Sequence, residues 1–458
     1  METLSFPTLT VGLIAWIAGI VLSLRLPDQK QRRGVAAASA LLSAVCALTT
    51  GLQVQRAHGM HLSDPWLGFL GADVKGALIL TLLSAITAGL AILAPRRDCG
   101  GRALAGLLLI GASAQIAYCA SNLRWFAIGW VLSVLPVCLS FFGGGLNLRP
   151  VTGFITVSTA LGVGAMFALG SSPGAGVFAL VLVAVAFRKG LFPVHSWLIS
   201  AFERGPLLAT GLLFNTHFGA ALLTRPEVSP LFEKYPTALD LVSYSALFTA
   251  LVTSIRCFTE RTPRRLIALI CLSQASFILA GLVTSNEAGV TGAWVHWLVV
   301  VTASTGLIAI LRILEVRVMD VVKPEGQLGL AVRAPRLATG FLVCSLALIG
   351  LPGTLGYCAE DLLFHGALSS HPFLGVVLPL ATAFNAINLF RLYSLLFLGV
   401  LPKRVIDVQD ALNRERWPLV ACILILVASG IAPGRIITAM SPASVTHHSG
   451  TSTPLSHP

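Results

Sequence analysis

Fourteen apolar runs, each at or near the length that crosses a bilayer, follow one another along this chain and leave little else to fold. They fall at about 8–25, 34–52, 74–94, 103–121, 124–145, 153–170, 174–187, 207–224, 238–258, 265–284, 290–312, 337–355, 373–400 and 416–433. Hydrocarbon offers no partner to a backbone N–H or C=O, so runs of this length fold as helices that satisfy their own hydrogen bonds. The expectation is an all-α polytopic membrane protein with about 14 transmembrane helices. Composition agrees, with 55% of residues hydrophobic and 11% charged, and excludes a soluble globule. The longest polar interval, 313–336, is too short for a soluble domain. The start of the chain lacks a basic n-region, so the first run reads as a retained helix rather than a cleaved signal. Residues 441–458, rich in Ser, Thr, His and Pro, read as disordered.

The net charge of +12 would suit nucleic acid, but its placement argues against that partner and for the lipid bilayer. Alternating the loops across a membrane puts 24 of the 31 lysines and arginines on the side of the 26–33 loop. The other side receives 6, and Arg391 stays inside a span. Cytoplasmic loops carry such an excess, so the 26–33 side faces the cytoplasm and both termini face outward. The nine cysteines are scattered through apolar segments with no C-x-x-C and no Cys/His cluster. No disulfide framework, metal site or cofactor is expected.

Two runs are interrupted. The first, apolar over 174–187, meets Arg188, Lys189, Gly190, Pro193 and His195, then Glu203, Gly205 and Pro206, before the next run begins. The second, at 349–361, meets Gly350, Pro352 and Gly353 and then the adjacent acids Glu360 and Asp361. Glycine and proline weaken a helix ladder, and broken backbone at membrane depth survives only inside protein or beside water. Either break could instead be an ordinary loop, basic in one case and acidic in the other. Against that stands their arrangement. They lie about 160 residues apart, each late in a block of five runs and entering from opposite sides. Paired interrupted helices of this kind point to an inverted-repeat transporter with its pathway near the midplane.

Three stretches resemble one family in order. Lys189, Phe192-Pro193-Val194-His195-Ser196-Trp197-Leu198 and Gly205-Pro206 look like the signature of antiporter-like membrane subunits. Arg264-Arg265-Leu266-Ile267-Ala268 with Ser273-Gln274 is similar to that family's basic-pair helix, and Gly350-Leu351-Pro352, Gly356-Tyr357 and Glu360-Asp361 to its charged-pair helix. Such subunits occur in respiratory complex I, multisubunit cation/proton antiporters, membrane-bound hydrogenases and DAB-type inorganic-carbon uptake complexes. The resemblance covers roughly 100–400 and implies two inverted five-helix repeats, each with a broken helix and half of a proton pathway, in the cell inner membrane. The expected units are 1–100 for the N-terminal helices, 101–260 and 261–402 for the repeats, 403–440 for the C-terminal helix, and the tail.

Buried lysines and carboxylic acids have their pKa values pulled toward neutrality, and histidine titrates there unaided. The resemblance therefore assigns a proton pathway to Lys189, His195, His217, His296, Glu360 and Asp361. Arg188, effectively always protonated, reads as a fixed counter-charge. Glu203 pairs within the polar patch, and Asn385, Asn388 and Arg391, at three-residue spacing on one helix face, line the path or pack helices. Several family positions differ. Val131 and Ser304 stand where the family carries a glutamate and a lysine, Arg188 stands at the relay-lysine position, Leu213-Phe214 lacks the family's histidine, and Glu360 replaces a lysine. If protons pass the first break, Lys189 must use His217, Glu203 or water. No nucleophile–base pair or phosphate loop is present, so no autonomous active site is expected. These departures favour a carbon-uptake membrane subunit, whose implied partner is a large cytoplasmic, zinc-containing, carbonic-anhydrase-like subunit. The alternatives are a proton-pumping subunit of a quinone oxidoreductase, hydrogenase or antiporter complex, and a non-conducting scaffold.

Overall fold

A computed structural model describes residues 2–143, 149–171, 173–284, 286–319, 326–370, 372–401 and 408–441. The tail expected to be disordered therefore lies, beyond Ser441, outside the described residues. The described residues are mostly helical. The first helices are α1 (Thr8–Arg25), α2 (Gln29–Arg56) and α3 (Val74–Leu93). Between α2 and α3, strands β1 (Leu62–Ser63) and β2 (Gly71–Ala72) pair antiparallel. Buried Asp64 pins this loop to α1 by accepting from Thr10 N and Oγ1. Then come α4 (Gly101–Tyr118), α5 (Leu123–Gly143), α6 (Arg149–Ser171), α7 (Ala175–Lys189), α8 (Ser196–Arg204), α9 (Leu207–Asn215), α10 (Phe218–Leu223), α11 (Ser229–Lys234) and α12 (Thr237–Arg256). The chain continues through α13 (Pro263–Leu282), α14 (Glu287–Leu314), α15 (Pro335–Leu348), α16 (Leu355–Ser370), α17 (Pro372–Phe397), α18 (Asn413–Ile431) and α19 (Gly434–Met440).

Among the described residues ten helices are long and apolar enough to span, or eleven if α18 and α19, bent by 92°, count as one. Among the described residues the helices of spanning length fall short of the expected count of about 14. The runs that fall short are α7 at 15 residues, α9–α10, α15 at 14 residues, and α18–α19. Each is cut by local sequence: Gly190 after α7, Gly350 after α15, Pro433 between α18 and α19, and the polar triplet Asn215-Thr216-His217 between α9 and α10. This last break corrects the expectation of one continuous helix over 207–224.

The breaks after α7 and α15 are built alike. Gly190 and Gly350 take left-handed φ values of 69° and 70°. Leu191 N reaches back to Ala186 O and Gly190 N to Phe187 O; Leu351 N reaches Leu346 O and Gly350 N reaches Ala347 O. This paired pattern closes a helix by satisfying its last carbonyls, and a residue with a Cβ is disfavoured at its left-handed position. In both loops the leucine carbonyl then accepts from the residue three further on, Val194 or Thr354.

Burial places α13 and α14 at the centre. They are 89% and 94% buried along their apolar lengths, against 44% for α1 and 39% for α6, which lie at the outside of the bundle. On the side of the 26–33 loop, ion pairs tie the helix ends together. Arg312 forks onto Asp98 at 2.7 and 2.8 Å, Arg264 onto Glu315, and Arg265 onto Glu260 with Glu203 at 3.3 Å. Glu203 thus belongs to this surface network, away from Lys189. Arg317 holds the buried Glu415 at the start of α18 by two bonds of 2.6 and 2.7 Å.

Candidate functional site

Lys189 ends α7 and is 2% exposed, and Arg188 is 8% exposed. Counting both as loop cations is corrected by this burial, which leaves 22 against 6 on the two sides. The Lys189 ammonium hydrogen-bonds His217 Nδ1 at 2.5 Å and lies 5.1 Å from the Phe214 ring centroid. His217 is itself the break between α9 and α10, with a left-handed φ of 47°. Two interrupted helices therefore meet through a lysine and an imidazole. The other imidazole nitrogen, His217 Nε2, is buried and has no partner among the described residues. Thr210 Oγ1, also buried and unpartnered, lines the same small cavity with Arg188, Lys189 and His217. Its volume of about 10 Å³ is the least that admits one water.

Arg188 turns away from this pair. It donates to Ser133 Oγ, and its guanidinium lies 4.7 Å from the Trp130 ring centroid and 5.7 Å from that of Phe218. Aromatic faces and a hydroxyl thus accompany the cation beside Val131, one residue beyond Trp130. His195, at the far end of the break, stacks on Phe192 and meets Arg256 Nη1 at 3.1 Å through Nε2. It is separated from Lys189 by the intervening turn and does not touch it.

From the Lys189–His217 pair, buried polar side chains continue through the central helices. Asn215 donates to Thr305 Oγ1 at 2.9 Å and accepts from Ser304 Oγ at 3.0 Å. Higher on α14, His296 Nε2 meets the Gln274 carbonyl at 3.2 Å. Ser273 next to it accepts from Asn385 Nδ2 at 2.8 Å. On the same face of α17, Thr382 donates to Glu360 Oε1 at 3.3 Å. Glu360 lies against the second break, where a Cβ on Gly350 would come within 2.5 Å of its carboxylate. Between these fixed links sit buried polar atoms with no partner among the described residues: His296 Nδ1, both amide atoms of Gln274, and Asn385 Oδ1. Buried polar groups of this kind are sites for bridging water.

Other candidates lie off this line. Asp361 is exposed and faces His365 at 3.5 Å, so the adjacent acids point in different directions. Arg391 caps the end of α12 by donating to the carbonyls of Cys257 and Glu260 and to Asn388 Oδ1. Asn388 donates to Ser254 O in the same corner. These two tie α17 to the end of α12. Tyr118 and Thr382 were not singled out in the sequence, and Gln274 only as part of the Ser273-Gln274 motif, because other polar groups share their helices and only the fold shows which of them align.

Residues 109–385 match the family described as NADH:quinone oxidoreductase/Mrp antiporter, transmembrane. The chain belongs to this family. Membership covers both breaks and the whole polar line. A similar relative is NADH-quinone oxidoreductase subunit N of Geobacillus kaustophilus, 24% identical over 93% of each chain. In fold, the chain is similar to a chain of respiratory complex I from Thermus thermophilus at TM-score 0.80 and 21% identity, covering 94% of this chain and 97% of that one. It is also similar to a chain of the Mrp complex from a Dietzia species at TM-score 0.82 and 17% identity, covering 94% and 95%. This antiporter-like protein is thus a multi-pass membrane protein whose relatives are subunits of larger membrane assemblies.

Proposed function

We propose that this antiporter-like subunit carries protons between the two broken helices, with Lys189 and His217 as the carriers at the first break and Glu360 at the second. The observation that carries this reading is the direct Lys189–His217 hydrogen bond inside the bundle. Charged groups at membrane depth mark ion or proton pathways, and this pair consists of two groups that each exist with and without a proton. Asn215, Ser304, Thr305, Gln274, His296, Ser273, Asn385 and Thr382 supply the polar line between the breaks, with water between the fixed links. We assign 101–260 and 261–402 as the two units. His195, paired with Arg256, serves the cytoplasmic approach; Asp361 is the exposed neighbour of Glu360.

The assembly that best suits the chain is a quinone-oxidoreductase or cation/proton antiporter complex. The name of the Geobacillus kaustophilus relative and the family description support it. A second reading, an inorganic-carbon uptake subunit beside a carbonic-anhydrase-like partner, is favoured by one observation. At Val131 and Ser304 neutral residues stand where a relay would carry charge. Purification of the assembly from its native membrane separates the two: co-purifying quinone-oxidoreductase subunits support the first, and a zinc-containing carbonic-anhydrase-like chain the second.

Glu360→Gln keeps the side chain's shape and its acceptor for Thr382 but removes the exchangeable carboxyl proton. Proton flux through the reconstituted complex is expected to fall by about 10²-fold, the usual weight of a positioned acid–base group. Flux at the parental rate would remove Glu360 from the pathway.

A further inference from the structure

A cavity of about 800 Å³ opens on the face opposite the cationic loops. It is far larger than the ~30 Å³ share of one water. Its rim carries the exposed His61, Glu233 and Pro236, and its floor is Ala117, Tyr118 and Ala221. Asp73, Lys75 and Arg225 line its wall. Lys75 lies over the Trp294 ring at 5.2 Å, and Arg225 pairs with Glu227 and donates to Ala120 O. The side chain of Tyr118 reaches from this cavity to the break between α9 and α10. Its hydroxyl donates to the carbonyl of Thr216 at 2.7 Å, directly before His217. Its ring packs on Trp297 and Phe218, with centroids 6.2 and 6.0 Å away, and Trp297 in turn lies 6.0 Å from the His217 ring.

A cavity with Asp73, Lys75 and Arg225 in its wall thus comes within one side chain, Tyr118, of the backbone carbonyl next to the buried His217, whose Nε2 has no partner among the described residues. We propose that the cavity is a water-filled vestibule through which His217 exchanges protons with the outward face, and that Tyr118 is the closure between them. The inference rests on the reading of His217 as a proton carrier. It adds an access route, a side and a closing residue to that reading. Closure follows from the geometry: the hydroxyl proton is engaged by a backbone carbonyl, which cannot pass it on, so protons cross only when the ring moves aside.

The test uses the whole complex in sealed membrane vesicles of both orientations. Ala221→Cys places a thiol on the cavity floor, and a membrane-impermeant cationic thiol reagent reports its exposure against the parent chain, whose nine cysteines are all buried or half-buried. Expected results are labelling from the outward face alone and loss of most coupled proton flux once the thiol is modified. In a separate variant, Tyr118→Ala is expected to raise passive proton leak several-fold, whereas Tyr118→Phe, which keeps the ring, stays tight. Absence of outward labelling, as a lipid or partner helix seated in the cavity would cause, overturns the proposal. So does labelling that leaves flux unchanged while Lys189→Ala abolishes it. If instead Lys189→Ala leaves flux intact but modification at position 221 blocks it, the carrier assignment fails and the vestibule stands.

Discussion

Replacing Lys189 by alanine is expected to lower proton flux through the assembled complex by about 10²-fold or more, with the chain still folded and incorporated. The argument is local. Lys189 is the group bonded to His217 Nδ1, and its surroundings are Phe214, Gly219 and the small polar cavity. Without the ammonium, nothing at that point gives or takes a proton from the imidazole. Lys189→Arg decides between charge and exchange. A guanidinium keeps the positive charge but is effectively always protonated, so it holds the pair without relaying. Arginine is therefore expected to be as inactive as alanine, although it restores the charge. Flux is read as acidification of proteoliposomes, with size-exclusion of the extracted complex as the check on assembly. Parental flux in Lys189→Arg would mean that a fixed charge is all the site requires.

The second large effect is on stability. Arg317→Met is expected to destabilise the chain by about 3 kcal/mol, because it removes the nearer of the two cations on a buried carboxylate and leaves only Arg414, longer at 3.3 Å and more exposed. Glu415 is 1% exposed, takes two bonds from Arg317 and also accepts from Leu412 N. Arg317 additionally donates to the carbonyls of Gln409 and Asp410, so its loss unties the end of α14 from the start of α18. The midpoint of thermal unfolding in detergent, followed by tryptophan fluorescence, measures it. A second change, Glu415→Leu in the same chain, should recover much of the loss, since an apolar pair of similar volume carries no desolvation penalty. An unchanged midpoint in Arg317→Met would show that solvent screens the pair.

Much of this was legible before the structure. The apolar runs declared a helical membrane protein, and the Gly/Pro clusters at 190–193 and 350–353 declared two breaks, because those residues act on the backbone itself. Depth was not legible. Arg188 and Lys189 follow an apolar run just as loop cations do, and only α5, α9 and α10 folding over them buries the pair. The third break, at His217, was missed for a related reason. It contains neither glycine nor proline, and its only mark was the polar triplet 215–217 in an apolar helix. Adjacent Glu360 and Asp361 had to point in different directions on a helix, but which of them faces inward was not legible; the fold turns Glu360 onto Gly350 and Asp361 outward. A linear sequence shows the period of a helix but not which neighbour will cover each face.

The short first half of the interrupted helix has a consequence for biogenesis. At 15 residues α7 is about 22 Å long, against a hydrocarbon thickness near 30 Å. It also ends in two cations, each of which costs about 2.5–3.5 kcal/mol at the centre of an isolated inserting helix. Such a segment cannot settle across the bilayer on its own. Its guanidinium finds cover only when Trp130 and Ser133 arrive from α5 and Phe218 from α10. Insertion of this region is therefore a collective event, completed after the later helix has left the ribosome, and the two cations at the break are tolerated only by the finished bundle.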